Sequence, residues 1–172
     1  MPRFEMEDFC GLVEENGIES GYLVPPIIVG LAKSPVVDEY DLSSLTSVGS
    51  GSAPLPVSII EAFKAKFGAD IYEGYGLSEA APTVSAHRRG EPIKPGSVGR
   101  AFPGVEVRVV DDEGNELPTG DAGELIVRGE NVTPGYFRNE EATREAIRDG
   151  WLHTGDVARI DPRGYITLTG RI

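Results

Sequence analysis

Hydrophobic and polar positions divide this chain into two halves of different rhythm. In the first, apolar residues recur at helical spacing. Met6, Phe9, Cys10 and Val13 fall on one face of a stretch at 5–16, with Glu7, Glu14 and Glu15 off it, which predicts an amphipathic helix stopped by Asn16-Gly17. Ile59, Ile60, Phe63 and Phe67 do the same for a second helix that ends at Gly68. A third helix starts at Pro26 and carries Ile27, Ile28 and Leu31. Short apolar runs at 20–24, 44–48 and 69–72 are strand candidates between them. Strand, helix, strand, helix, strand predicts a partial parallel sheet with helices packed on it, over residues 1–90. Ligands of such sheets bind beyond the carboxyl ends of the strands. Two glycine-rich stretches, 49–52 and 73–76, lie there.

The second half, 91–172, alternates with the period of strands. Val105, Val107 and Val109 interleave with Glu106 and Arg108. A turn at Asp111 to Asn115 precedes a strand at 124–128, and Asn139 caps a short helix that opens with Glu140 and Glu141. Val157–Ile160 and Tyr165–Thr169 form a hairpin around Asp161-Pro162-Arg163-Gly164. Residues 97–170 are thus expected to be a small, mostly antiparallel β subdomain, with a boundary near the prolines and glycines of 88–98. The whole is an α/β chain.

Composition narrows the partners. The hydrophobic share of 40% and charged share of 26% are those of a soluble globular protein. The net charge of −12 argues against nucleic acid and against an anionic membrane surface. Backbone N–H groups and a cation can still hold a nucleotide in an acidic protein. Cys10 is the one cysteine, which excludes an internal disulfide and a multi-cysteine zinc site, and its helix face marks it as buried filler. No apolar run is long enough to span a membrane, and no signal peptide precedes the chain, so the expected location is cytoplasmic.

Three stretches can carry chemistry. Glu73-Gly74-Tyr75-Gly76-Leu77-Ser78-Glu79 offers glycines for close approach, a flat aromatic face, a hydroxyl for an anionic oxygen and a carboxylate suited to Mg²⁺. The same residues also fit a glycine-rich turn with one packed tyrosine. Gly49-Ser50-Gly51-Ser52 precedes a helix, yet no Gly-Lys-Ser/Thr follows. Pro54 and Pro56 remove N–H donors, so the loop suits a wall for a flat ring better than a triphosphate cradle. In Trp151-Leu152-His153-Thr154-Gly155-Asp156, Asp156 can accept a bidentate pair from a ribose diol or fix its own turn. His87 and His153 have no partner at metal-ligand spacing. Arg171 can reach a ribose or phosphate or be solvated, and Glu124 reads as a strand-edge charge.

Taken in order, these stretches resemble the adenylate-forming superfamily, most closely its acyl-CoA synthetases and 4-coumarate–CoA ligases. The resemblance rests on Met1-Pro2-Arg3-Phe4, Val24-Pro25-Pro26, Gly49 to Leu55, Tyr75-Gly76-Leu77-Ser78-Glu79, Gly123-Glu124-Leu125, Gly135-Tyr136, Trp151 to Asp156, and Gly170-Arg171. It implies a fatty or aryl carboxylic acid joined to coenzyme A at the expense of ATP, with AMP and pyrophosphate as products. Ser52, Ala53 and Pro54 would border the adenine. Glu73, Gly74 and Tyr75 would form its other wall, with Tyr75 stacking. Gly74 to Gly76 would also bound the acyl or aryl pocket. Ser78 would touch the phosphates, Glu79 would hold Mg²⁺, and Asp156 and Arg171 would bind the ribose. An amino-acid adenylation domain, a luciferase-like enzyme and a non-catalytic nucleotide-binding or interaction module are the alternatives.

Two departures qualify the resemblance. Ser78 stands where the family usually has Thr, and the family's phosphate loop with its Lys is not found. The resemblance therefore implies a fragment, the later part of a large N-terminal domain up to its hinge. Such a fragment is expected to be inactive alone and to self-associate through exposed sheet surface.

Overall fold

Helix α1, Met6–Asn16, buries Cys10 and Val13 completely and ends at Gly17, as its periodicity predicts. Burial also pushes the Cys10 thiol up from its ordinary range. The computed structural model describes residues 4–172, so the first three residues of the opening Met-Pro-Arg-Phe motif lie outside it. The chain forms two compact units, residues 1–73 and 74–172.

In the first unit β1 (Ser20–Tyr22) leads into α2 (Pro25–Lys33), which starts one residue earlier than expected, at Pro25. Both prolines sit in the first turn, where a missing N–H costs nothing. Strand β2 spans Ser47–Ser50 and α3 spans Val57–Phe67. Strand β3 begins at Asp70 and runs to Gly76. β1, β2 and β3 pair in parallel, with Ser20 opposite Ser47, Val48 opposite Ile71 and Ser50 opposite Glu73. The two right-hand crossovers expected of such a sheet are α2 and α3. Ile28, Leu31, Val48, Phe63 and Ile71 make its core with the buried face of α1. Strand β2 lies later than the apolar run at 44–48. Leu45 is buried from a turn that its N–H closes on the Leu42 carbonyl, and the N–H groups of Thr46 and Ser47 both turn to the Glu19 carbonyl. The ladder then takes up Gly49 and Ser50, which read as loop in the sequence.

In the second unit the last residues of β3 pair antiparallel with β4 (Thr83–Ala86), and β4 pairs with β5 (Arg100–Ala101). Gly74-Tyr75-Gly76 is therefore strand and not turn. A Cβ on Gly76 would sit 1.9 Å from the Pro82 carbonyl oxygen, so only glycine lets the chain double back this closely. A second, antiparallel sheet holds β6 (Val105–Val110), β7 (Gly123–Gly129), β9 (Trp151–Ile160) and β10 (Ile166–Arg171) in the order β10-β9-β7-β6. The short α4 (Glu140–Ala146) and β8 (Ile147–Arg148) precede β9, and β8 pairs with it. The Asn139 side chain accepts from the Ala142 N–H at 3.1 Å, the predicted cap. Leu125, Val127, Leu152, Ala158 and Ile166 are the centre of this core.

The hairpin at 161–164 forms as expected. Asp161 Oδ1 accepts from the N–H groups of Arg163 and Tyr165, and its Oδ2 pairs with Lys94 Nζ at 2.9 Å. The lysine and these N–H groups hold the Asp161 carboxyl down at about 2. The stretch at 151–156 lies entirely within the ten-residue strand β9, so Asp156 is a strand residue and does not fix a turn.

Candidate nucleotide-binding site

Within the second unit, β3 and β9 bring Tyr75 and Asp156 together from 81 positions apart. The Tyr75 hydroxyl donates to Asp156 Oδ2 at 2.5 Å. Burial first, and this bond second, push the Tyr75 phenol above its ordinary range. Tyr75 therefore stays a neutral donor throughout the physiological range. Its half-buried ring packs against the core of the unit, with Leu77 beside it in that layer.

Asp156 is only 19% exposed at its side chain, and each of its polar groups has a fixed neighbour. Its N–H donates to Thr154 Oγ1 at 3.1 Å, and that buried hydroxyl donates to the Leu125 carbonyl at 2.7 Å. Its Oδ1 lies 3.9 Å from Arg171 Nε. Arg171 is the cross-strand partner of Asp156 because a bulge between Leu168 and Gly170 shifts the β9–β10 register. The Arg171 side chain is 78% exposed, so its attraction to Asp156 is well screened and the guanidinium is available to an anion or a diol.

Next to Asp156 in the chain, Gly155 belongs to a contact set that the sequence does not reveal. Glu124 is not an edge charge, since β7 runs between β6 and β9. Its Oε2 meets His153 Nδ1 at 2.7 Å, and its Oε1 accepts from the Gly155 N–H at 3.0 Å. Gly155 holds φ at +69°, a left-handed value in the middle of a strand. Only the β7–β9 register, itself shifted between Glu124 and Ile126, brings these groups together, and spacing alone carries no signal of it.

Ser78 and Glu79 open a single 3₁₀ turn, Ser78–Ala80, directly after β3. Ser78 is exposed, and Glu79 is half-buried. Tyr136 donates its hydroxyl to Glu79 Oε1 at 2.7 Å, which raises the Tyr136 phenol. The Glu79 carbonyl accepts from the Thr133 N–H at 2.7 Å, and Asn131 donates to the carbonyls of Ala80 and Thr83. Thus 131–136 pins the turn from one side. Among the described residues no group of three or more His, Cys, Asp or Glu side chains gathers as a metal cage. Mg²⁺ in phosphate-transfer sites keeps water and phosphate ligands beside one or two carboxylates, so Glu79 alone fits such an ion.

The first unit places the other candidates. Ser50 closes β2 opposite Glu73, and both are buried. Ser52, Ala53 and Pro54 follow in an exposed bend anchored by buried Leu55. Ser52 holds φ at +72°, a conformation that non-glycine residues seldom adopt. The sequence prediction that 49–54 is loop thus holds from Gly51 on. Among the described residues no helix is long and apolar enough to cross a membrane.

The chain matches the AMP-binding enzyme family over residues 1–137 and belongs to that family. It is 40% identical over 180 residues to 4-coumarate:CoA ligase 1 of Petunia hybrida, covering 100% of this chain and 33% of the relative. Among solved structures it superposes on ATP-bound MatB from Rhodopseudomonas palustris with a TM-score of 0.92 at 35% identity, covering 99% of this chain and 34% of that one. It also superposes on the anthranilate CoA ligase AuaEII in complex with anthranoyl-AMP, with a TM-score of 0.89 at 31% identity, covering 96% of this chain and 32% of that one. The chain thus spans about a third of the length of most of the curated relatives it matches.

Proposed function

We propose that this chain is the adenosine-binding part of an ATP-dependent acid–thiol ligase that activates an aromatic carboxylic acid and passes it to coenzyme A. The observation that carries this reading is the convergence of Tyr75, Asp156 and Arg171. A neutral phenol orients a carboxylate beside an exposed guanidinium, which suits a ribose diol next to a phosphate. Family membership supports the nucleotide, and the aromatic acids of the petunia ligase and of AuaEII favour an aryl substrate over a fatty one.

In the reaction the substrate carboxylate attacks the α-phosphorus of ATP. Pyrophosphate leaves, and the acyl-adenylate forms. The thiol of coenzyme A then attacks the acyl carbon, and AMP departs. Positioning and charge neutralisation supply most of the rate in such transfers. Asp156, held by Tyr75 and Thr154, would accept from the ribose hydroxyls. Tyr75 would offer its ring to the adenine, with Gly74 beside it in the strand; Ser52, Ala53, Pro54 and Glu73 would be adenine-binding residues of the first unit. Ser78 would donate to a phosphate oxygen. Glu79, oriented by Tyr136, would hold Mg²⁺, which supplies charge neutralisation on the phosphates. Gly74 to Gly76 would bound the acyl or aryl pocket.

The test is acid-dependent exchange of pyrophosphate into ATP by the full-length protein that carries this chain. Cinnamate-like and benzoate-like acids, fatty acids and amino acids are assayed side by side. Exchange with aryl acids, followed by thioester formation on adding coenzyme A, is the expected result. Exchange with amino acids alone, or with none of the panel, contradicts the reading.

A further inference from the structure

Glu124 and His153 are not among the groups assigned to the nucleotide, yet Glu124 holds the backbone of the residue just before the one that would grip its ribose. Glu124 uses both carboxylate oxygens, one on His153 Nδ1 at 2.7 Å and one on the Gly155 N–H at 3.0 Å. The side chains of His153 and Glu124 are 14% and 17% exposed, so water competes poorly for either bond. Gly155 is left-handed at φ +69°, and its carbonyl accepts from the Ile172 N–H at 2.8 Å. The next residue is Asp156. A left-handed residue in a strand turns the direction of the side chain that follows it. The conformation held by Glu124 therefore sets where the Asp156 carboxylate points, toward the Tyr75 hydroxyl and Arg171.

We infer that Glu124 is a positioning residue for ribose recognition: through its bond to the Gly155 N–H it fixes the bulge that aims Asp156 at the ribose hydroxyls, and His153 holds Glu124 in place. This inference rests on the assignment of Asp156 to the ribose. A group that merely stabilised the fold would weaken all nucleotides alike. A group that aims Asp156 must change the preference between ribose and deoxyribose.

The experiment compares binding of ATP and 2′-deoxy-ATP and 3′-deoxy-ATP by the full-length protein and its variants. A hydrogen bond to a charged acceptor supports a wild-type preference for ATP of about tenfold or more. Glu124→Ala is expected to reduce that preference to within about twofold, as Asp156→Ala does, because one lost bond leaves the other side chain unaimed. Combining the two is expected to cost no further discrimination, since both act through one carboxylate. Glu124→Gln keeps an acceptor for Gly155 and is expected to retain the preference. Should Glu124→Ala not fold, Gly155→Ala carries the test: its added methyl meets no atom within 4 Å, but its left-handed backbone is disfavoured, and the preference is expected to fall likewise. If Glu124→Ala or Gly155→Ala loses discrimination while Glu124→Gln keeps it, the inference stands. If Asp156→Ala loses discrimination and Glu124→Ala retains it, the inference falls and the ribose assignment survives. If Asp156→Ala itself retains the preference, the ribose assignment falls and the positioning role with it.

Discussion

Tyr75→Phe removes one hydroxyl and keeps the ring, so it isolates the bond to Asp156. The wild-type bond is 2.5 Å long, with a neutral donor and a carboxylate that is 19% exposed. A hydrogen bond to a charged group contributes about 1.5–3 kcal/mol net, and partial exposure of Asp156 places this one near about 1.5 kcal/mol. The ring still packs against the second core, so no cavity term is added. The sign of the pH dependence follows from the raised phenol. Its ordinary value is 10.0, and in the folded protein it lies higher. The bond's stabilisation is therefore complete below pH 10 and is lost as the pH climbs above 10 toward the folded value, because only the unfolded chain then releases the proton. Urea denaturation at pH 7 and above pH 10 checks both parts. Tyr75→Phe is expected to be about 1.5 kcal/mol less stable at pH 7 and to show a shallower alkaline decline than the wild type. Equal stability at pH 7 together with an unchanged alkaline decline would refute the reasoning.

Three further outcomes follow from single contacts. Gly76→Ala puts a methyl 1.9 Å from the Pro82 carbonyl oxygen, and forced backbone movement is expected to cost about 3 kcal/mol, read as a lower unfolding midpoint. Asp161 has its carboxyl depressed to about 2 by Lys94 and two N–H groups, so its contribution is present above 3.8 and lost as the pH falls through about 2; Asp161→Asn is expected to lower stability at pH 7 and to flatten the acid limb of the stability profile. Tyr136→Phe releases Glu79, and Mg²⁺-dependent ATP binding is expected to weaken about two- to tenfold while AMP binding without metal is unchanged, as measured by titration calorimetry.

Much of the fold is legible in the residues themselves. α1 and α3 announce themselves through apolar spacing and glycine stops, and the three parallel strands between helices through their order. Boundaries are less legible where burial on both faces removes alternation. Ser47 and Ser50 are buried in β2 although they are polar, while Leu45 is buried outside it. Glycine misleads in the opposite way at Gly76, because close approach of Pro82, and not a turn, demands it. The motifs at 73–79 and 151–156 could be found along the chain, but the Tyr75–Asp156 bond could not, since it joins separate strands. The Glu124–His153–Gly155 contacts are further out of reach, because a shift in the β7–β9 register decides which groups meet. Tyr136 belongs to the Gly135-Tyr136 pair, and nothing local in the sequence ties it to Glu79.

The central claim is that the nucleotide site of the second unit places Tyr75 against the adenine base. Photo-crosslinking of the full-length protein with 8-azido-ATP, followed by peptide mapping, tests this most directly. The account predicts label on a peptide that contains Gly74-Tyr75-Gly76, abolished by excess ATP. ATP-protected label lying wholly outside that peptide would contradict it.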